Sequence, residues 1–167
     1  MGDDNMNVKF KGNPVTLEGN PIKVGDTAPD FIVTDNALNP FTLKDTTGKR
    51  VFVSVPSIDT STCDMEVRRF NVEAAKLPDV SIYVISMDLP FAQKRWCGNA
   101  GIEVVKTVSD YKERNFGQSY GTYIKELGLL TRAVFVVDED NKVTYVEYCA
   151  EVSAEPDYDK VLEALNR

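Results

Sequence analysis

The sequence predicts an α/β protein in which a parallel βαβ unit joins an antiparallel pair of strands. Two β-branched runs, RVFVSV (50–55) and SIYVIS (81–86), have the continuous apolar character of buried central strands. Between them Cys63, Val67, Phe70, Ala74 and Leu77 recur at spacings of four and three, which is one face of a helix. Near the end, AVFVVD (133–138) and KVTYVEY (142–148) flank the turn Glu139-Asp140-Asn141 as a hairpin. Strands that alternate with helices before a closing hairpin build such a mixed sheet.

Taken in order, the first element is a β-hairpin, because VKFKGNPVTLEG alternates apolar and polar residues on both sides of Gly12-Asn13-Pro14. Residues 20–50, with GDTAPDF and a second turn at TTGK, read as loop plus a short strand. The strand 50–55 follows, then the helix from Ser61 to Leu77, closed by Pro78-Asp79. Its charges, Glu66, Arg68, Arg69, Glu73 and Lys76, fall mostly off the apolar face. After the strand 81–86 a second helix covers Pro90 to Cys97, with Gly98 as its expected C-cap. IEVVKTVSD (102–110) supplies a further short strand, and 111–131 reads as loop. The last helix carries Tyr158, Val161, Leu162 and Leu165 on one face. No repeat or low-complexity linker interrupts the 167 residues, so 1–167 reads as a single domain large enough for a proper core. The order is that of a thioredoxin-like fold with an N-terminal β-hairpin extension. A generic doubly wound sheet fits it as well.

A hydrophobic content of 43% and a charged content of 27% are those of a soluble globular protein. The opening, MGDDNMNVKF, is acidic and polar, unlike a secretory signal or transit peptide. No apolar run approaches the roughly 20 residues of a membrane span. The expected address is cytoplasmic, with no membrane partner. A net charge of −7, spread along the chain, repels phosphate backbones and makes nucleic acid an unsuitable partner.

The chain has no histidine. That removes Ser-His and Cys-His nucleophile pairs and the commonest metal ligand. Its three cysteines, Cys63, Cys97 and Cys149, lie far apart with no C-x-x-C among them. Such spacing disfavours a zinc site and a dithiol motif, and an odd count in a reducing compartment disfavours a disulfide scaffold. Chemistry is then left to isolated thiols. Cys63 falls in the first turn of a helix leaving a buried strand, the crevice where open α/β sheets place their sites. Unpaired N–H groups and the positive end of the helix dipole favour a thiolate there, whereas the neighbouring Asp64 and Glu66 oppose it and call for a cation. Spacing alone leaves Cys63 readable as a core residue too, since free cysteine is often buried.

Pro56, Thr60 and Cys63 form P-x-x-x-T-x-x-C. This resembles the active-site motif of the peroxiredoxins, and SIDTSTCDMEVRRFN (57–71) resembles their thiol peroxidase branch. The branch commonly has proline where Ser61 stands, a departure beside the motif. SMDLPFAQKRWCG (86–98) resembles the second signature of the same branch, and LTRAVFVVD (130–138) the strand that begins with its active-site arginine. The resemblance runs from the hairpin to the last helix. It implies Cys63 as the peroxidatic nucleophile, Thr60 and Arg132 as its polar and cationic partners, and Pro56 as a shield of the sulfur. It implies Cys97 as the resolving cysteine, forming an intramolecular Cys63–Cys97 disulfide. It further implies hydroperoxide substrates, thioredoxin as reductant, a homodimer, and no metal, flavin or haem cofactor. Cys149 matches no family motif and reads as structural, and Trp96 as a packing residue.

Overall fold

A computed structural model describes residues 7–166; residues 1–6, on which the reading of the acidic opening partly rests, lie outside the described residues. The chain begins with β1 (Lys9–Phe10) and β2 (Asn13–Pro14), paired antiparallel with Lys9 opposite Pro14. The turn is made by Lys11 and Gly12, both at positive φ (52° and 81°), one residue earlier than the sequence pattern suggests. β3 (Leu17–Glu18) leaves the hairpin and pairs elsewhere, as described below.

β4 (Ile32–Thr34) and β5 (Pro40–Thr42) form one edge of the main sheet. β6 (Lys49–Ser54) leads to α1 (Ser61–Ala75), which returns to β7 (Val80–Ser86), parallel to β6. α2 (Pro90–Ala100) then connects to β8 (Lys106–Ser109), parallel to β7. The helix passes through Gly98 and stops at Gly101, whose φ of 70° makes it the C-cap in place of Gly98. Gly101 is the residue that turns left-handed, which glycine does without steric cost.

The stretch expected to be loop holds α3 (Asn115–Ser119), β9 (Tyr123–Ile124) and β10 (Leu129–Leu130). β9 pairs with both β10 and β3 in a separate three-stranded sheet. β11 (Ala133–Val137) and β12 (Val143–Tyr148) form the expected antiparallel pair, and α4 (Tyr158–Leu165) closes the chain. The main sheet has seven strands in the order β12-β11-β6-β7-β8-β4-β5.

Alternation along the strands divides the core between two faces. Val51, Val53, Val84 and Val134 pack with Val67, Phe70 and Ala74 of α1 and Val161 and Leu165 of α4. Trp96 and Ile102, on and just after α2, join this face. Phe52, Ile85 and Phe135 point to the other face and meet Phe31, Phe116 and Tyr120. The site described next lies on the first face, where β6 and β7 end. No helix among the described residues is long and apolar enough to cross a membrane.

Candidate active site

The chain leaves β6 through the buried Pro56, which has no N–H to continue the sheet ladder. The loop that follows is held by Asp88, just past the end of β7. Its carboxylate accepts hydrogen bonds from Ser57 Oγ (2.7 Å), the Ile58 amide (2.9 Å) and Ser86 Oγ (2.7 Å). Thr60 is the N-cap of α1: its Oγ1 accepts from the Cys63 amide at 3.2 Å and donates to the Ser57 carbonyl at 3.2 Å. The cap fixes the first helical turn and with it Cys63. That hydroxyl thus accepts from the helix and donates to the loop, in the turn that carries Cys63.

Cys63 Sγ is fully buried. Arg132, which immediately precedes β11, places Nη2 3.1 Å from it. The same guanidinium donates through Nη1 to Glu66 Oε1 and through Nε to the Val152 carbonyl at 2.7 Å. An arginine 1% exposed requires such partners, because burying an unpaired charge is costly. Burial pushes the Glu66 carboxyl up to about 7, and the Arg132 charge holds it below where burial alone would take it. Desolvation works against the Arg132 charge, but Glu66 and Cys63 together hold that charge on.

The opposing carboxylates are therefore accounted for. Glu66 is neutralised by Arg132, and Asp64 by Arg68 on the same helix, while Asp64 Oδ2 also accepts from the Trp96 indole N–H at 3.2 Å. Sequence spacing could not pair Glu66 with a residue 66 positions away. Its one signal was position: a charge among residues of the apolar α1 stripe. Asp88 was visible only as part of the string 86–98, and its hold on the loop at Ser57 and Ile58 is tertiary.

Cys97, on α2, is half-buried, with Sγ 3.5 Å from Thr107 Oγ1. Burial pushes its thiol up and the Thr107 contact offsets part of that. It lines a cavity of about 370 Å³ with Asn36, Phe41 and Thr107. All three cysteines are free, so Cys63 and Cys97 are not bonded to each other. Arg132 leads into β11 and Thr107 lies on β8, with β6 and β7 between those strands. Cys149 is 5% exposed; burial, then the nearby Glu147, pushes its thiol far up and keeps it protonated. Among the described residues no three His, Cys, Asp or Glu side chains gather as a metal site.

A buried thiol at a helix N-terminus, capped by threonine and faced by a buried arginine, narrows the comparison with known proteins. The family model described as Redoxin matches residues 23–162. The chain belongs to the Redoxin family. It is 62% identical over 159 residues to a thiol peroxidase from Clostridium acetobutylicum, covering 95% of this chain and 97% of that one. A thiol peroxidase from Bacillus subtilis is 56% identical over 158 residues, covering 94% and 95%. Among solved structures, a peroxiredoxin-like protein from Aquifex aeolicus superposes with a TM-score of 0.89 at 40% identity, over 95% of each chain. The thioredoxin-like α/β fold expected from the sequence is the fold of this Redoxin chain.

Proposed function

We propose that the thiol-dependent peroxidase activity of this chain runs on Cys63, with Arg132, Thr60 and Pro56 shaping its site and Cys97 as the resolving thiol. The chain is a peroxiredoxin-type enzyme that takes a peroxide as substrate and a thiol as reductant. The observation that carries the assignment of roles is the Arg132 Nη2 to Cys63 Sγ distance of 3.1 Å. A guanidinium there offsets a thiolate and offers donors to a peroxide brought against the sulfur.

In the first step the Cys63 thiolate attacks one peroxide oxygen and the O–O bond breaks. The leaving hydroxide or alkoxide takes a proton and departs as water or an alcohol, and Cys63 becomes a sulfenic acid. Negative charge moves from sulfur to the leaving oxygen, and Arg132 stands where it can follow that charge. Cys97 then attacks the sulfenic sulfur; water leaves and a Cys63–Cys97 disulfide remains. We assign its reduction to thioredoxin, the substrates to hydrogen peroxide and organic hydroperoxides, the assembly to a homodimer and the address to the cytoplasm.

Thioredoxin-coupled turnover of hydrogen peroxide and of an alkyl hydroperoxide tests the reading. Cys63→Ser barely changes volume and should abolish turnover while circular dichroism shows the fold intact. Near wild-type turnover by that variant would remove Cys63 from the mechanism.

A further inference from the structure

Each redox cysteine has a neighbour in the chain that reaches across to the other helix. Asp64, next to Cys63, accepts from the indole N–H of Trp96, next to Cys97, at 3.2 Å. Arg68 binds the second oxygen of the same carboxylate, and its guanidinium lies 5.7 Å from the centre of the Trp96 ring. Asp64, Arg68 and Trp96 thus join the first turns of α1 to the turn of α2 that carries Cys97.

That turn is weak in itself. Gly98 sits inside α2 directly after Cys97, where glycine costs about 1 kcal/mol relative to alanine, and the helix ends three residues later at Gly101. Beyond it the exit loop is fixed, because Asn71 of α1 accepts from the Val104 and Val105 amides, each at 3.0 Å. The segment able to unwind is therefore the short end of α2, and the polar tie between it and α1 is the Trp96–Asp64 bond, beside the apolar packing of Trp96.

We propose that Asp64, Arg68 and Trp96 form a clasp that must open before Cys97 reaches Cys63, and so sets how long the sulfenic acid persists. The inference rests on the roles of Cys63 and Cys97 given above. A disulfide needs Cα atoms within about 7 Å, whereas Cys97 is held against Thr107 on β8 and Cys63 against Arg132. Opening the clasp frees Trp96 and Cys97 together. Two reactions then compete for one sulfenic acid. With Cys97 it loses water and gives the disulfide. With a second peroxide it gains oxygen, gives the sulfinic acid and releases water or an alcohol. A tighter clasp favours the second. Asp64, Arg68 and Trp96 are positioning residues, acting on the second step and not on the first.

Trp96→Phe tests this, since it keeps an aromatic ring on the apolar face and removes the indole N–H together with the second ring. Quenched-flow with a thiol alkylator and mass spectrometry would follow Cys63 after one equivalent of peroxide. Disulfide formation should accelerate about fivefold, the factor that corresponds to about 1 kcal/mol for one hydrogen bond. The sulfinic fraction at high peroxide should fall, and the rate of the first, peroxide-dependent step should stay unchanged. Asp64→Asn, which keeps the side-chain shape and weakens the acceptor, should likewise accelerate disulfide formation and gives a readout of that step if Trp96→Phe does not fold. Trp96 is the only tryptophan, so its fluorescence should change with the disulfide step and stay silent in Cys97→Ser. Unchanged or slower disulfide formation in both variants would overturn the clasp. Absence of a 63–97 disulfide in the wild type would instead overturn the underlying roles.

Discussion

Arg132 faces two acidic groups at once, the Glu66 carboxyl and the Cys63 sulfur, in a place water does not reach. Arg132→Ala should abolish most turnover. It should also destabilise the fold, because breaking a buried pair leaves its partner charge unpaired, at a cost of about 3–5 kcal/mol. That cost depends on pH. The folded carboxyl of Glu66 is raised to about 7, above its unfolded value, so its contribution to stability is complete below about 4.5 and declines as pH rises through 7. The destabilisation by Arg132→Ala should accordingly be larger at pH 8 than at pH 5, as urea melts at the two values would show. Adding Glu66→Gln should restore much of the stability and none of the turnover. Recovery of turnover in that double variant would mean that Arg132 serves only the pair and not the thiol.

At the scale of elements, long periodic segments were legible and short ones were not. α1 shows four apolar positions at helical spacing and ends at Ala75, two residues before the Leu77 that the pattern suggests, and β6 and β7 are continuous apolar runs, so each follows from local pattern. α3 has five residues and β9 and β10 two each, too few to display a period. Gly98 and Gly101 look alike as helix stops; only the left-handed turn at Gly101 distinguishes them. Cys63, Thr60 and Pro56 were legible because they lie within eight residues. Glu66 as the partner of Arg132, and Asp88 as the anchor of the loop, depend on approaches that strand order creates. α3 illustrates the same point. It is held by Asp110, whose carboxylate accepts from the Phe116 amide at 3.0 Å and the Gly117 amide at 2.8 Å. Burial raises the Asp110 carboxyl to about 6, against the bonds from those amides. The folded state therefore binds this proton more tightly than the unfolded one, and stability from this group declines as pH rises from about 4 through 6. Asp110→Asn should flatten that part of the profile, read as the difference in Tm between wild type and variant at pH 4 and pH 7. A difference independent of pH would place the titration elsewhere.

Across the whole molecule, the N-terminal hairpin is connected to the thiol by a chain of contacts. The Lys9 amide donates to the Ala150 carbonyl and the Val152 amide to the Lys9 carbonyl, each at 2.8 Å. Glu151 between them accepts from the Lys11 and Gly12 amides at 2.9 and 3.0 Å, and from the Ser153 amide at 3.0 Å and hydroxyl at 2.7 Å. Those hydrogen bonds, with the Ser153 pair foremost, hold its carboxyl down at about 2. The next carbonyl, Val152, receives Arg132 Nε, and the Ser153 carbonyl receives Thr62 Oγ1 at 3.0 Å. The hairpin thereby positions the segment that aims the arginine from one side and steadies α1 from the other. Its own core is small, with Val8, Ile124 and Val152 as the buried members, so most of the stability lies elsewhere. Glu151→Ala should therefore uncouple function from folding. Turnover should fall several-fold as Arg132 loses its fixed carbonyl, while Tm shifts by only a few degrees, the usual size of a local change. The loss should be the same at pH 5 and pH 8, because Glu151 is ionised at both. Unchanged turnover with a detached hairpin would show that Val152 is held by β12 and α4 alone. A collapse of Tm would show that the hairpin carries the fold and not only the site.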